Sequence, residues 1–322
     1  MHIPELTYNT ATDTAVFLTG QIEADGRLYD ISAGTTAGRS LPDGPQKPNE
    51  DAFSVVRYDG NAIMAAVFDG ASSQKPISEI EGSGARYASH ALKEDFEAMP
   101  KGLEPHLALS GLNKMLGTRF QNFPSVDYAD LNSLPTSTAT IARINAETDR
   151  LEVSHVGDSF AAVLREDGTT ELLTNNLHRQ HDEEVLDLIY RIALEEGITP
   201  REARENPRIR TALMDMFQDT RNRPNGTGEG MVNGDPNMDQ YIHSVSLPLT
   251  TVRAVLLASD GFVPLGMDER REEDRKILFD IACASGIAAL MELTRNTENN
   301  DPDRWHVRYK HADDATGILI RQ

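Results

Sequence analysis

The sequence is poor in cysteine, in positive charge and in long apolar runs. Its 322 residues include one cysteine, Cys283, which cannot form an internal disulfide and which we interpret as a small apolar residue of a helix. A single cysteine fits a reducing compartment. Residues 1–20 lack the basic start and continuous apolar stretch of a signal peptide, and we expect no later segment to span a bilayer. These absences predict a soluble cytoplasmic protein that does not act on membranes.

The shortage of positive charge limits the partners of the chain. Lys and Arg total 31 against 51 Asp and Glu, which gives a formal net charge of -20. Nucleic acid binding requires a basic surface, so this balance argues against a nucleic acid partner. The same negative field repels phosphorylated substrates at long range. Any phosphate chemistry therefore requires bound cations or a local basic residue.

The predicted strands and helices form blocks along the chain. Strands at 52–58 and 62–68 are joined by Asp59-Gly60, a strong hairpin signal, and helices follow at about 85–99 and 105–120. Three short strands at 138–144, 151–156 and 161–164 are then expected to form an antiparallel meander. Helices are then expected at 182–196, from about 199, at 268–283 and at 287–294, strands at 241–247, 253–258 and 316–321, and a Gly- and Asn-rich surface loop at 222–237. Strands and helices thus fall into blocks and do not alternate. This order favours an α+β layered fold over a doubly wound parallel sheet.

Four acidic motifs stand where apolar runs begin or end. They are Asn49-Glu50-Asp51-Ala52, Phe68-Asp69-Gly70, Ser259-Asp260-Gly261 and Asp313-Asp314-Ala315-Thr316. Carboxylates that recur at strand ends can converge in space, and bound cations would hold them together. None of the motifs contains the His or Cys that zinc favours, whereas their oxygen ligands suit Mg²⁺ or Mn²⁺.

The motifs belong to a larger ordered set. It also contains Gly38-Arg39, Ser137-Thr138-Ala139 and Val156-Gly157-Asp158-Ser159. In this order the set resembles the metal-dependent type 2C family of protein serine/threonine phosphatases, over about residues 31–320. The resemblance implies a four-layer α-β-β-α sandwich of two antiparallel sheets flanked by helices. It also implies hydrolysis of phosphoserine and phosphothreonine in proteins by a water or hydroxide that bridges two metal ions, with no covalent phosphoenzyme.

The resemblance assigns roles to the carboxylates of the motifs. Asp69 would bridge the two metals and also serve the catalytic step together with Asp260, while Asp314 would support its neighbours. The metal-ligating set implied by the family is Glu50, Asp51, Asp69, Gly70 through its carbonyl oxygen, Asp260 and Asp313.

Several positions leave alternatives open or depart from the family's pattern. Asp158 matches a position that the family can use for a third, weaker metal, or it shapes its turn by hydrogen bonds. Arg39 and Lys47 compete as the cation that grips the substrate phosphate, and Arg39 is favoured because it follows Gly38. Ala71 stands where some members have a histidine that protonates the leaving group. The last position, four residues after Asp260, is Pro264, where an additional acidic ligand is common.

The expected organisation is a single domain at residues 31–322, preceded by an extension at 1–30 that packs on it or leads into it. A helical insertion at about 178–240 takes the place of the family's variable flap over the active site. The expected partner is a phosphorylated protein, and the oligomeric state stays open. Two alternatives to a protein phosphatase are a catalytically silent relative that acts as a binding or scaffold module, and a small-molecule phosphomonoesterase on the same fold.

Overall fold

The computed structural model describes residues 6–11, 14–58, 62–71, 77–100, 102–128, 130, 133–176, 179–223 and 228–322. Two antiparallel sheets form the centre of the molecule. In spatial order, the seven-stranded sheet consists of β1 (Leu6–Ala11), β2 (Ala15–Ala24), β3 (Arg27–Thr36), β12 (Ala315–Arg321), β11 (Val252–Ala258), β8 (Phe160–Arg165) and β9 (Thr170–Leu172). The five-stranded sheet consists of β10 (His243–Pro248), β7 (Arg150–Val156), β6 (Thr136–Asn145), β5 (Ala62–Ala71) and β4 (Ala52–Tyr58).

Apolar side chains on alternate strand positions fill the space between the two sheets. This inner core includes Ile22, Val67, Val153 and Ile318, all of which are buried. Alternate residues of a strand point to opposite faces, so each sheet also presents a second apolar face that must be covered. Helices cover both outer faces, and the expected four-layer α-β-β-α sandwich is confirmed.

The helices are α1 (Gly84–Ala98), α2 (Pro105–Phe120), α3 (Arg179–Glu196), α4 (Pro200–Ala203), α5 (Pro207–Thr220) and α6 (Glu272–Asn299). Leu92 and Phe96 of α1, with Leu112 and Leu116 of α2, recur at helical spacing and pack on the five-stranded sheet. The predicted hairpin pair β4 and β5 is antiparallel, although Asp59-Gly60 itself lies outside the described residues.

The predicted meander is wrong in its third strand. β6 and β7 pair as expected, but β8 pairs with β11 and β9 in the other sheet. The chain changes sheets at Gly157, whose φ of 97° favours glycine and where a Cβ would lie 2.5 Å from the side chain of Thr138. This crossover places Asp158 between the two sheets.

The helix α6 contains a break and carries the sole cysteine. Gly286 has a φ of +81° and interrupts the helical conformation, between the two helices predicted at 268–283 and 287–294. Leu278, Phe279 and Leu290 pack on the seven-stranded sheet, and Cys283 lies partly buried beside them. In length and composition α6 could also cross a membrane, contrary to our expectation for later segments. The core helix of a soluble protein can have the same length and apolar composition, so α6 by itself is not evidence of a membrane span.

Two segments, residues 15–30 and residues 222–237, are placed differently from what the sequence indicates. Residue 31 lies inside β3, so residues 15–30 belong to the same sheet as the segment that follows them. The expected surface loop at 222–237 is largely internal where it is described, because Asn222 and Asn233 are buried and hydrogen-bonded to each other at 2.8 Å. The helices α3, α4 and α5 form a small apolar cluster of their own, against which Val307 and Tyr309 pack.

Candidate metal centre

The four acidic motifs meet at one end of the sandwich. In an antiparallel pair, the start of one strand lies beside the end of its neighbour. Ala52 of β4 pairs with Phe68 of β5, which brings Asp51 beside Asp69. In the other sheet Ala258 of β11 pairs with Gly317 of β12, and the same geometry brings the turn at Asp260–Phe262 beside the Asp313-Asp314 segment.

Glycines allow these segments to approach closely. A Cβ at Gly70 would lie 2.5 Å from the carbonyl oxygen of Glu50, and one at Gly261 would overlap the carbonyl oxygen of Asp314. A Cβ at Gly38 would overlap the carbonyl oxygen of Ala312. Side chains at these three positions would therefore push the acidic segments apart.

A buried polar network fixes Asp51. The hydroxyl of Ser259 donates to Asp51 Oδ2 at 2.8 Å and accepts from the backbone N–H of Thr316 at 2.9 Å. The backbone N–H of Asp51 donates to the Asn49 side chain at 3.0 Å. The second carboxylate oxygen, Asp51 Oδ1, is buried and has no hydrogen-bond partner in the part of the chain that the structure describes. A buried polar atom without a partner costs free energy, so this oxygen is suited to a ligand that the protein itself does not supply.

Asp314 holds two backbone segments together. It accepts from the N–H of Gly38 at 2.6 Å and from the N–H of Glu50 at 3.0 Å. Both of its oxygens are thus used inside the protein, which is the arrangement expected of a supporting residue.

Crowding at this end of the sandwich shifts the pKa values of the carboxyl groups. Burial and the charge of Asp314 raise the pKa of Asp51 to about 7. Burial and the charges of Asp51 and Asp260 raise the pKa of Asp69 well above its ordinary value. The surface of Asp260 is exposed to water. Its pKa is nevertheless raised, because surrounding protein atoms remove part of its hydration and because the carboxylates of Asp158 and Asp313 repel a negative charge on it.

Asp313 behaves differently from the other carboxyl groups. Burial raises its pKa, but the ammonium group of Lys310 outweighs that effect, so that the pKa of Asp313 is lowered. Lys310 Nζ lies 2.6 Å from Asp313 Oδ1.

The donor set fits hard divalent cations. The side chains that converge are carboxylates, and the raised pKa values of Asp51, Asp69 and Asp260 express burial and a mutual repulsion that positive charge would relieve. Within the described ranges, no three His, Cys, Asp or Glu side chains are already closed around one point. The geometry is therefore that of neighbouring ligands which a bound ion would draw together.

Residues 44–281 match the sequence profile of the family described as protein phosphatase 2C. The chain belongs to the protein phosphatase 2C family. This assignment confirms the expected protein serine/threonine phosphatase and the resemblance on which that expectation was based. A comparison with curated proteins gave no match.

Solved bacterial phosphatases share the fold at low sequence identity. The serine/threonine phosphatase Stp1 from Staphylococcus aureus is 18% identical, with a TM-score of 0.56 over 94% of this chain and 97% of that one. The S. agalactiae serine/threonine phosphatase is 14% identical, with a TM-score of 0.53 over 91% and 99% of the two chains. A bacterial serine phosphatase is 18% identical, with a TM-score of 0.53 over 90% and 96%. At this identity the likeness supports the fold of the phosphatase and nothing finer.

The two candidate phosphate-gripping cations of the phosphatase both lie at the surface. Arg39 is fixed through its backbone, which exchanges two hydrogen bonds of 2.9 Å with Ala312, while its side chain is exposed. Lys47 is exposed in the segment before Glu50. The backbone bridge between Arg39 and Ala312 places Arg39 beside the Asp313 segment.

A cleft of about 500 Å³ adjoins the acidic end of the phosphatase. Asp158 and Asp260 line one side, and Arg179 and Leu186 of α3 line the other. Arg179 reaches the loop after Asp260, where its guanidinium lies 3.4 Å from Asp268 and 3.5 Å from Glu269. The helical insertion is therefore a wall of this cleft.

Sequence reasoning did not single out Lys310 or Arg179. A signal for Lys310 was present, because it is a basic residue three positions before a predicted metal ligand in an acidic chain. Arg179 carried no comparable signal for its contact with the cleft, since Asp268 and Glu269 are about 90 residues away.

Proposed function

We propose that the chain removes phosphate from phosphoserine and phosphothreonine in proteins with the help of two divalent ions, Mg²⁺ or Mn²⁺. The observation that carries this proposal is the convergence of mutually repelling carboxylates at one end of the sandwich, where an oxygen of the buried Asp51 has no hydrogen-bond partner among the described residues. An assembly of like charges is costly unless cations offset it.

The proposed roles follow the position of each group. Asp69 would bridge the ions and Gly70 would offer its carbonyl oxygen, since the two are consecutive in β5. Glu50 and Asp51 would hold one ion, directly or through water. The other ion would lie between Asp260 and Asp313, with Asp158 available for a weaker third one.

Two ions bound there would supply an activated water and would neutralise charge that develops on the phosphoryl oxygens. The residues of the chain hold and orient those ligands: Ser259 fixes Asp51, and Asp314 fixes the backbone of Glu50. Ala71 follows Gly70, so this position offers no proton donor, and solvent would protonate the departing serine or threonine oxygen. Arg39 remains the preferred residue to grip the phosphate, with Lys47 as its competitor.

Hydrolysis of a phosphoserine or phosphothreonine peptide in the presence of Mn²⁺ tests the proposal. Asp69→Asn and Asp260→Asn should each lower kcat/KM by at least about 100-fold, because each removes a negatively charged ligand of the ions that would activate the water and neutralise the phosphoryl oxygens. Asp167→Asn is a matched control, since Asp167 also precedes a glycine but lies in an exposed hairpin turn, where it accepts from the backbone N–H of Thr169. Equal activity of the parent and the Asp69 and Asp260 variants would refute the proposal. Mn²⁺ binding without turnover of any phosphoester would instead favour the silent binding module, and preference for free phosphometabolites would favour the small-molecule enzyme.

We propose further that the helical insertion acts as the flap of the site. It walls the cleft beside Asp260, and Arg179 ties the start of α3 to Asp268 and Glu269. Arg179→Gln should loosen that wall and raise KM for phosphopeptides about three- to tenfold while kcat changes less, because a positioned wall contributes binding to the substrate. Arg208→Gln is the control, because Arg208 is an exposed arginine of α5 in the same insertion. An unchanged KM for the Arg179 variant would contradict the role of flap.

The proposed location of the chain is the cytoplasm, because a single cysteine fits a reducing compartment.

A further inference from the structure

Lys310 stands among the carboxylates of the site. Its Nζ lies 2.6 Å from Asp313 Oδ1, and its charge also interacts with Asp314 and Glu50. These partners come from two of the four acidic motifs, the one at residues 49–52 and the one at residues 313–316. The ammonium group therefore partly neutralises the end of the sandwich at which a cation is expected.

The backbone around Lys310 is held, whereas its side chain is partly open to water. Tyr309 packs against the helical insertion, and its hydroxyl donates to Asp182 at 3.2 Å. The Arg304 guanidinium donates to the carbonyl of Tyr309 at 2.9 Å. The Lys310 side chain, in contrast, is 30% exposed. Its four-carbon stem can thus swing the ammonium group into solvent without a change in the fold.

We propose that Lys310 is a positioning residue, the built-in counter-ion of Asp313, whose ammonium group a divalent ion must displace in order to bind Asp313. The inference rests on the proposed function, because it takes Asp313 as a ligand of the ion next to Asp260. One carboxylate oxygen cannot serve a close ammonium group and a divalent ion equally well, since the two cations repel each other. In the metal-free chain Lys310 keeps Asp313 in place, and it lowers the affinity of this end of the site for metal.

Calorimetric titration of the metal-free full chain with Mn²⁺ tests the inference. Lys310→Met should bind the weaker of the two ions about tenfold more tightly than the parent, because the competing cation is gone. Lys310→Arg keeps the cation and should bind like the parent. Lys276→Met is the matched control, since Lys276 is an exposed lysine of α6 and the substitution makes the same change in net charge.

Each other outcome has a separate meaning. Equal or weaker binding by Lys310→Met, or an equal gain in Lys276→Met, would overturn the role of Lys310 and leave the proposed function intact. Absence of Mn²⁺ binding in the parent as well would overturn both.

A second measurement uses the natural chain and does not depend on the folding of a variant. Acetylation of lysines by acetic anhydride is followed by mass spectrometry with and without Mn²⁺. Release from Asp313 should make Lys310 several-fold more reactive when Mn²⁺ is present, while the reactivity of Lys276 stays constant. Unchanged or reduced labelling of Lys310 would overturn the inference.

Discussion

At the scale of single residues, Asp51 shows how burial and neighbouring charges disfavour the ionised form of the carboxyl groups of the site. It is buried, one of its oxygens is held by Ser259, and its pKa is raised to about 7 by burial and by Asp314. The pKa values of Asp69 and Asp260 are raised as well. In the unfolded chain, where water solvates each of these carboxyl groups, their pKa values would be ordinary. Between about pH 4 and 7 the folded, metal-free chain therefore holds protons that the unfolded chain has lost.

This difference predicts how the stability of the metal-free chain depends on pH. The pKa of Asp51 is about 7 in the folded chain against an ordinary value of 3.8, so the folded state binds more protons between these two pH values. The free energy of unfolding should then fall as the pH rises from about 4 to 7. Urea unfolding in a chelator should give a lower midpoint at pH 7.5 than at pH 5, and added Mn²⁺ should reduce the difference. Asp51→Asn should show a weaker pH dependence than the parent. A parent midpoint that is higher at pH 7.5 than at pH 5 would contradict the prediction.

The residue scale also shows what the sequence revealed of the site. Asp69 and Asp260 could be predicted because each follows an apolar strand and precedes a glycine, a context that the turn at Asp167-Gly168 lacks. Lys310 could not be assigned to Asp313 in this way, because contact between them depends on the path of the loop before β12. The burial of Asn222 likewise depends on Asn233 and its surroundings, although both lie in a segment whose composition indicates an exposed loop.

At the scale of elements, the crossover after β7 decides where the site lies. Strand and helix positions could be predicted from the spacing of apolar residues, as in Leu92 and Phe96 of α1. The sheet to which β8 belongs could not, because an alternating pattern identifies a buried face and not the neighbour that pairs with the strand. The φ of 97° at Gly157 turns the chain into the other sheet.

Gly157→Ala therefore tests the crossover. The substitution imposes a side chain at positive φ and brings a Cβ to 2.5 Å from Thr138, so we expect a loss of about 1–3 kcal/mol in the free energy of unfolding. Gly168→Ala is a matched control, with a φ of +83° and no atom of the described residues within 4 Å of the added Cβ. Both variants carry the backbone cost, and the difference between them in urea unfolding measures the contact with Thr138. Equal losses would show that this contact does not constrain the crossover.

At the scale of the whole molecule, charge sets the conditions for the substrate. The net charge of -20 repels a phosphopeptide before it reaches the site. The cleft itself is flanked by acidic residues of α3, among them Asp182 and Glu183. Basic residues near the phosphorylated position would offset this repulsion.

We therefore expect phosphopeptides with flanking Lys or Arg to be hydrolysed with a higher kcat/KM than those with flanking Asp or Glu. The difference should be about tenfold or more at low ionic strength and should shrink in 0.5 M NaCl, where the screening length falls below about 5 Å. Peptides of equal length and neutral flanks serve as the reference. A preference that does not change with salt would show that specific contacts, and not the field of the molecule, select the substrate.

The position of β12 has a consequence for biosynthesis. This strand lies between β3 and β11 in the interior of its sheet, and the segment just before it supplies both Asp313 and the carboxylate that ties Gly38 to Glu50. A nascent chain that has exposed Glu50, Asp69 and Asp260 still lacks the segment that joins them. On the proposed ligand set, the chain would therefore lack a complete metal site, and with it phosphatase activity, until residues 313–321 have left the ribosome and entered the sheet.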